Sequence, residues 1–251
     1  MKNLSVVIIT FNEERNIARC LNSVKEIADD IVIVDSGSTD KTEEICKTFN
    51  VNFIKQSWLG YSEQKNFANQ QALYDWIFSL DADEELSSEL IQSIKEAKQQ
   101  DKEIYYKINR LTNYCGKWIK YGGWYPDIKL RIFNRTNSKW IGTIHETLIN
   151  EKNIPEVLLK GNCNHYTYYN KEEHIAQARK FSDLAAQDLF GKGKKVFPLN
   201  FIFSPIIKFI RNYFLLAGFL DGAYGFRIAC ISAKAAYWKY AKLKQLSCYK
   251  R

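Results

Sequence analysis

The strongest constraint on this chain is a rhythm. Four strand-type runs, Leu4 to Thr10, Ile31 to Val34, Val51 to Ile54 and Trp76 to Leu80, alternate with stretches of helical spacing. The first, LSVVIIT, is continuously apolar and β-branched, the mark of a strand buried on both faces. The segments between supply cover. Ile17, Ala18, Leu21 and Val24 recur at helical spacing, a helix is expected over 41–49 with Asp40 as its cap, and another from Ser62. Strand and helix alternating in this way predict βαβ units and an α/β fold with a doubly wound, mostly parallel sheet.

Such sheets bind ligands at the carboxyl ends of their strands. Three polar clusters fall there: Thr10-Phe11-Asn12-Glu13, Asp35-Ser36-Gly37 and Asp81-Ala82-Asp83. Residues i and i+2 of an extended chain point to one side, so Asp81 and Asp83 can aim at one point beyond a buried strand. Two hard oxygen ligands suit Mg²⁺ or Mn²⁺ sharing its shell with phosphates. The plain alternative is a solvated acidic turn. No G-x-G-x-x-G follows the first strand and no Walker A lysine loop is present, so the dinucleotide and P-loop classes are excluded.

With 251 residues, 46% hydrophobic and 25% charged, the chain is globular and long enough for one sizeable domain and an appendage. Six scattered cysteines without a C-x-x-C pair read as free thiols of a reducing cytosol. Met1 runs into a strand by Leu4, which leaves no room for a signal peptide. The +8 net charge is uneven: from Gly191 onward Asp221 is the only acid, against twelve Lys and Arg. A basic, aromatic tail of this kind faces nucleic acid or an anionic membrane.

The second half is less regular. A helix capped by Ser87 or Ser88 is followed by a strand at Ile104 to Ile108, an alternating strand at Lys129 to Phe133 and another within Val157 to Tyr169. A helix is expected over Lys171 to Phe190, and a last one over Ala233 to Tyr249. Phe197 to Phe219 is rich in Phe, Ile and Leu but interrupted by Pro198, Pro205, Lys208 and Arg211. Its longest uncharged run is shorter than the ~20 residues of a spanning helix, so it reads as interfacial helices, apolar on one side and basic on the other.

Taken in order, Val7-Ile8-Ile9-Thr10-Phe11-Asn12-Glu13, Val34-Asp35-Ser36-Gly37-Ser38-Thr39-Asp40, Lys65-Asn66 and Asp81-Ala82-Asp83 resemble glycosyltransferase family 2, of the GT-A fold. The second half resembles its lipopolysaccharide core β-glucosyltransferase branch. The matching pieces are Gly123-Trp124-Tyr125-Pro126-Asp127, Arg131-Ile132-Phe133, Ile144-His145-Glu146-Thr147-Leu148, His165-Tyr166 and Gly218-Phe219-Leu220-Asp221-Gly222. The resemblance implies a UDP-sugar donor wrapped by Thr10 to Glu13 and by Asp35, Ser36 and Gly37, with Asp35 on the uracil. It puts Lys65 near the base or the phosphates, Asp81 and Ala82 at the ribose or metal, and Asp83 on a divalent cation (Mg²⁺ or Mn²⁺). His165 is a further candidate metal ligand. It also implies an inverting transfer, of glucose in many members, to a lipid-linked saccharide such as lipopolysaccharide inner core.

An inverting transfer needs one base and no covalent intermediate, so a single carboxylate suffices. Glu146 is the first candidate and Asp127 the second. Their plain alternatives are a structural ion pair and a turn residue after Pro126. His145 could orient the base or be a core histidine, and His174 is a surface or packing residue. Trp118, Trp124 and Tyr125 could line an acceptor cleft or be core. Arg131 could meet an acidic acceptor or make a salt bridge at the sheet surface. The expected organisation is a GT-A domain over 1–190, with a donor half at about 1–100 and an acceptor half at about 101–190, and a basic helical extension over 191–251. That extension is expected to contact the inner face of the inner membrane from the cytoplasm, or else a second copy. Nucleic acid is not expected as a partner, because no binding motif accompanies the charge. Alternative functions are a same-fold transferase acting on capsule or protein, and a non-catalytic, membrane-associated sugar-binding protein.

Overall fold

The computed structural model describes residues 3–100, 102–142 and 146–248. It divides into two compact units, residues 1–110 with 127–166 and residues 111–126 with 167–251.

The chain opens with β1 (Ser5–Thr10), α1 (Ile17–Val24), β2 (Asp30–Asp35), α2 (Thr42–Cys46), β3 (Asn52–Lys55), α3 (Tyr61–Gln70) and β4 (Trp76–Asp81). There follow β5 (Glu84–Leu86), α4 (Ser88–Lys98), β6 (Tyr105–Tyr114), β7 (Lys117–Ile119), β8 (Asp127–Asn134), β9 (Ser138–Ile141), β10 (Thr147–Asn150) and β11 (Glu156–Tyr168). The main sheet runs β3-β2-β1-β4-β8-β6-β11-β5, with β7 on β6, while β9 and β10 form a separate pair. The expected parallel winding holds for β3, β2, β1 and β4. Beyond β4 the pairings β4–β8, β6–β8 and β5–β11 are antiparallel. This mixed sheet with flanking helices agrees with the fold that the resemblance implies.

The first unit shows why β1 is apolar from Val6 to Ile9. Val6 and Ile8 point to one face, against Ile17, Cys20 and Leu21 of α1 and Leu90 and Ile94 of α4. Val7 points to the other, with Val32, Val34, Ala68 of α3, Phe133 and Trp140. Each fully buried aliphatic contributes about 1.5–3 kcal/mol. Helix α4 is capped by Ser87, whose Oγ accepts the Leu90 N–H at 3.2 Å. Gly161 of β11, at φ +87°, presses on the backbone of Leu90, where any Cβ would collide.

The second unit holds α5 (Lys171–Gly191), α6 (Pro198–Ile210), a π-helical turn (Arg211–Leu215), a 3₁₀ turn (Gly218–Asp221) and α7 (Gly222–Cys248). Helix α7 begins well before the expected Ala233. Helices α5 and α6 both pack on it, so α5 shares a unit with the basic segment. At the corner before α7, Gly225 lies against the carbonyl of Gly218 so closely that no side chain fits. Asp221 Oδ2 accepts the Lys120 and Tyr121 N–H groups at 3.1 and 2.9 Å. Tyr114, Trp124, Tyr168, His174 and Tyr224 form an aromatic cluster in which His174 stacks on Tyr168 at 4.6 Å. His174 is thus a packing residue, and burial pushes its imidazole down to about 4. Trp124, considered above for an acceptor cleft, belongs to this cluster.

All six cysteines are free thiols. Among the described residues no single helix is long and apolar enough to cross a membrane. One helix pair bent by 72°, Pro198–Leu215 with Gly218–Cys248, passes that test jointly.

Candidate active site

The candidate residues that the structure describes, except in the second unit, lie in the first unit, around the carboxyl ends of β1, β2 and β4. Two loops are stitched together there. Asn12, at φ +55°, donates its N–H to Ser38 Oγ at 2.8 Å and accepts the Thr39 N–H on Oδ1 at 2.8 Å. Glu13 N–H donates to Thr42 Oγ1 at 2.8 Å. Asp35, buried at the end of β2, accepts the Gly37 and Ser38 N–H groups at 3.0 and 2.9 Å and also bonds the Ser38 hydroxyl. The turn needs Gly37, at φ +93°. Ser36 Oγ accepts Gln64 Nε2 of α3 at 3.2 Å. Phe11 is exposed, and buried Thr10 has a hydroxyl with no hydrogen-bond partner among the described residues.

The two aspartates of the D-x-D turn have opposite surroundings. Asp81 Oδ2 accepts Arg131 Nη2 at 2.6 Å, and its Oδ1 lies 3.3 Å from Lys65 Nζ. Burial by itself would raise the Asp81 carboxyl, but Arg131, Lys65 and Arg110 hold it well below the usual range. Glu84 lies at the floor, accepting the Asp81 N–H at 2.9 Å and pairing with Arg131 at 3.1 Å and Arg110 at 3.2 Å. Asp83 instead faces His165, with Oδ2 and Nε2 3.1 Å apart. Burial opposes the imidazolium, yet the Asp83 charge and hydrogen bond raise His165 overall. Burial, then the Asp83 charge, pushes nearby Glu13 up to about 7. Ala82 is buried between the two aspartates.

Glu146 reaches this centre from a loop far along the chain. Its Oε1 accepts Lys65 Nζ at 2.9 Å, and Lys65 also lies over the Trp140 ring at 4.8 Å. One buried lysine on α3 therefore joins Glu146 to Asp81. Asp127 is held by a fork from Arg110, Nε at 2.8 Å and Nη2 at 2.6 Å, with Lys129 at 3.0 Å. Arg110 and then Lys129 keep its carboxyl low against the effect of burial. His145, expected to orient Glu146, lies outside the described residues, as does Ile144.

A divalent cation fits part of this set. Asp81 is turned to cations, so the side chains whose chemistry suits a metal are Asp83 and His165. Among the described residues no group of three or more His, Cys, Asp and Glu side chains encloses a metal site. Two protein ligands are what a cation that shares its shell with phosphate oxygens and water requires.

Glu84 and Arg110 were not legible as site residues. Arg131, expected at the sheet surface or on the acceptor, is 3% exposed and holds Asp81 and Glu84. Alternation gave no signal of this, since it puts Arg131 on the same face as exposed Lys129.

The family model "Glycosyl transferase family 2" matches residues 5–156, more than half of the chain. An uncharacterized glycosyltransferase of Rickettsia typhi is 36% identical over 259 residues, covering 98% of this chain and 88% of that protein. The lipopolysaccharide core biosynthesis glycosyltransferase LpsC of Rhizobium meliloti is 30% identical over 257 residues, covering 95% and 93%. Among solved structures, residues 1–349 of TarS from S. aureus in complex with UDP are similar at 15% identity and a TM-score of 0.47, covering 100% of this chain and 92% of that one. On the family match and the near end-to-end relatives, the chain belongs to glycosyl transferase family 2 and is a glycosyltransferase.

Proposed function

We propose that this glycosyltransferase moves a sugar from a UDP-sugar, with inversion, to a hydroxyl of a lipid-linked saccharide of the lipopolysaccharide inner-core class, with glucose as the sugar. The observation that carries the reading is the link from Glu146 through Lys65 to Asp81, at 2.9 and 3.3 Å. It sets a late carboxylate against the D-x-D turn, with no nucleophile needed between them. The Thr10 hydroxyl, unpartnered among the described residues, and the stitched 10–14 and 35–42 loops suit the nucleoside. The Rhizobium relative's role in lipopolysaccharide core biosynthesis supports the acceptor class.

In this mechanism Glu146 takes the proton of the acceptor hydroxyl as its oxygen attacks the anomeric carbon. The bond from that carbon to the diphosphate breaks on the opposite face, and its electron pair stays on the diphosphate. Lys65 aims the Glu146 carboxylate. Arg131 and Glu84 fix Asp81, which faces the ribose. Asp83 and His165 would hold a divalent cation, which when bound neutralises charge on the departing diphosphate. The reading implies a cytoplasmic location at the inner face of the inner membrane and membrane contact through 191–251.

Calorimetry and hydrolysis with a panel of UDP and GDP sugars and Mn²⁺ test it. A UDP-sugar, UDP-glucose first, is expected to bind. D83A should lose metal-dependent UDP binding together with transfer. E146Q should keep UDP affinity and lose about 10²–10⁴-fold in transfer. Near-normal turnover of E146Q would reject the base, and binding of GDP sugars alone would reject the donor.

A further inference from the structure

Helix α6 is inside out. Reading along it, Leu199, Ile202, Phe203, Ile206, Ile207 and Ile210 are all exposed, and no residue of the helix is fully buried. Their spacing follows the helical repeat, so they form one continuous stripe. The opposite side carries a polar row at i, i+4, i+8 and i+12: Asn200, Ser204 and Lys208 are half-buried, and Asn212, in the turn that follows, is buried. Beside that row Phe201 meets Tyr237 of α7 at 5.9 Å and Phe209 meets Phe226 at 5.9 Å, so this side faces the unit's own helices. A helix in water does the reverse, burying its apolar stripe and exposing its polar one.

The stripe continues around the corner. Phe214, Leu215, Phe219 and Leu220 are exposed, with Leu215 at 76%. From Asn212 to Leu220 there is no charge. The corner is also rigid, through the Gly218–Gly225 contact and the Asp221 bonds to Lys120 and Tyr121. Conformational freedom therefore does not offer these side chains another place to bury. A contiguous apolar surface of this kind has a partner.

We infer that the α6 stripe and the 212–220 corner embed in the acyl layer of one leaflet, making the protein a monotopic membrane protein held by apolar burial. Charge complementarity selects lipid over a second protein copy. Exposed Lys192, Lys194 and Lys195 lead into the helix, and the one acid after Gly191, Asp221, is buried, so the rim suits anionic headgroups. Arg211, the one charge on the exposed side of this stretch, has the length to reach back to headgroup level. Helix α6 has 13 residues, about 20 Å, so it lies along the membrane and does not cross it. This goes beyond a surface contact driven by the basic residues, and it holds whichever sugar is transferred.

The test is flotation of the full chain with vesicles of phosphatidylcholine, alone and with phosphatidylglycerol, free of saccharide acceptor, at low salt and in 1 M NaCl. Retention on both vesicles, persisting in high salt and abolished by detergent, is expected. I206E/L215E should lose at least tenfold of the retained fraction, with UDP affinity unchanged by calorimetry. The variant K192S/K194S/K195S should lose only the added retention on phosphatidylglycerol. Release of the wild type by 1 M NaCl would overturn the inference in favour of electrostatic docking. Absence from both vesicles, with a concentration-dependent dimer that I206E/L215E abolishes, would overturn it in favour of a second copy. UDP binding is read separately, so failure of the membrane inference and failure of the transferase reading are distinguishable.

Discussion

Strand β1 and helix α6 are both apolar runs, and they meet opposite ends. In β1 five of six residues are fully buried, because the two faces of the sheet each collect a layer of side chains. In α6 none is, although most of its residues are Leu, Ile or Phe. What differs is the neighbourhood. The sheet of the first unit has helices to cover it, whereas α6 turns its polar row to α7 and leaves its stripe outward. Apolarity alone says that a segment will leave water, and the unit it belongs to decides what it leaves water for.

Four measurements break or sharpen that contrast. The largest effect is expected in the first unit, at Arg131. Arg131→Ala takes from the buried Glu84 and the half-buried Asp81 the buried cation they share, leaving Arg110 and Lys65 to hold them, and should cost about 3–5 kcal/mol in denaturant unfolding. Next is Ile8→Ala at the centre of β1, which should cost about 2–5 kcal/mol, because a close-packed site collapses poorly around the void.

In the second unit the expected signature is acid sensitivity. His174 titrates at about 4 in the folded chain against 6.5 ordinarily. The unfolded state therefore binds the proton first, so stability is complete above pH 6.5 and is lost as pH falls toward 4. The loss is up to about 3 kcal/mol. Replacing His174 with Phe should flatten that part of the pH profile. The smallest effect is at Ile206. Since its side chain is exposed, Ile206→Ser should shift unfolding in lipid-free buffer by no more than about 0.5 kcal/mol. A large loss there would mean that the stripe is structural after all.

Much of the fold was legible because the signals are local. The first four strands lie where the β-branched runs put them, and Ser87 caps α4. The site was legible to a degree. Thr10 to Glu13, Asp35 to Gly37, Asp81 and Asp83 come together because strand ends in a βαβ sheet must. His165 lies against Asp83, and Glu146 arrives beside Lys65. Glu84 escaped notice, and Arg131 was expected on an acceptor or at the sheet surface, not buried against Asp81 and Glu84. A buried arginine and a surface arginine look alike in a strand that alternates, and the two carboxylates that Arg131 serves lie about fifty residues away.

By itself the sequence determined the alternation of strand and helix, the polar strand ends and the basic, aromatic C-terminal stretch. Each is set by composition and period within a few residues, where backbone geometry dictates which side chains share a face. Only the tertiary structure decided that Asp81 would be gripped by cations while Asp83 would face a histidine. It also decided which side of α6 would point away from α7. Charge pairing and burial depend on distances between residues far apart in the chain, and those distances exist only once the sheet and the helices have packed.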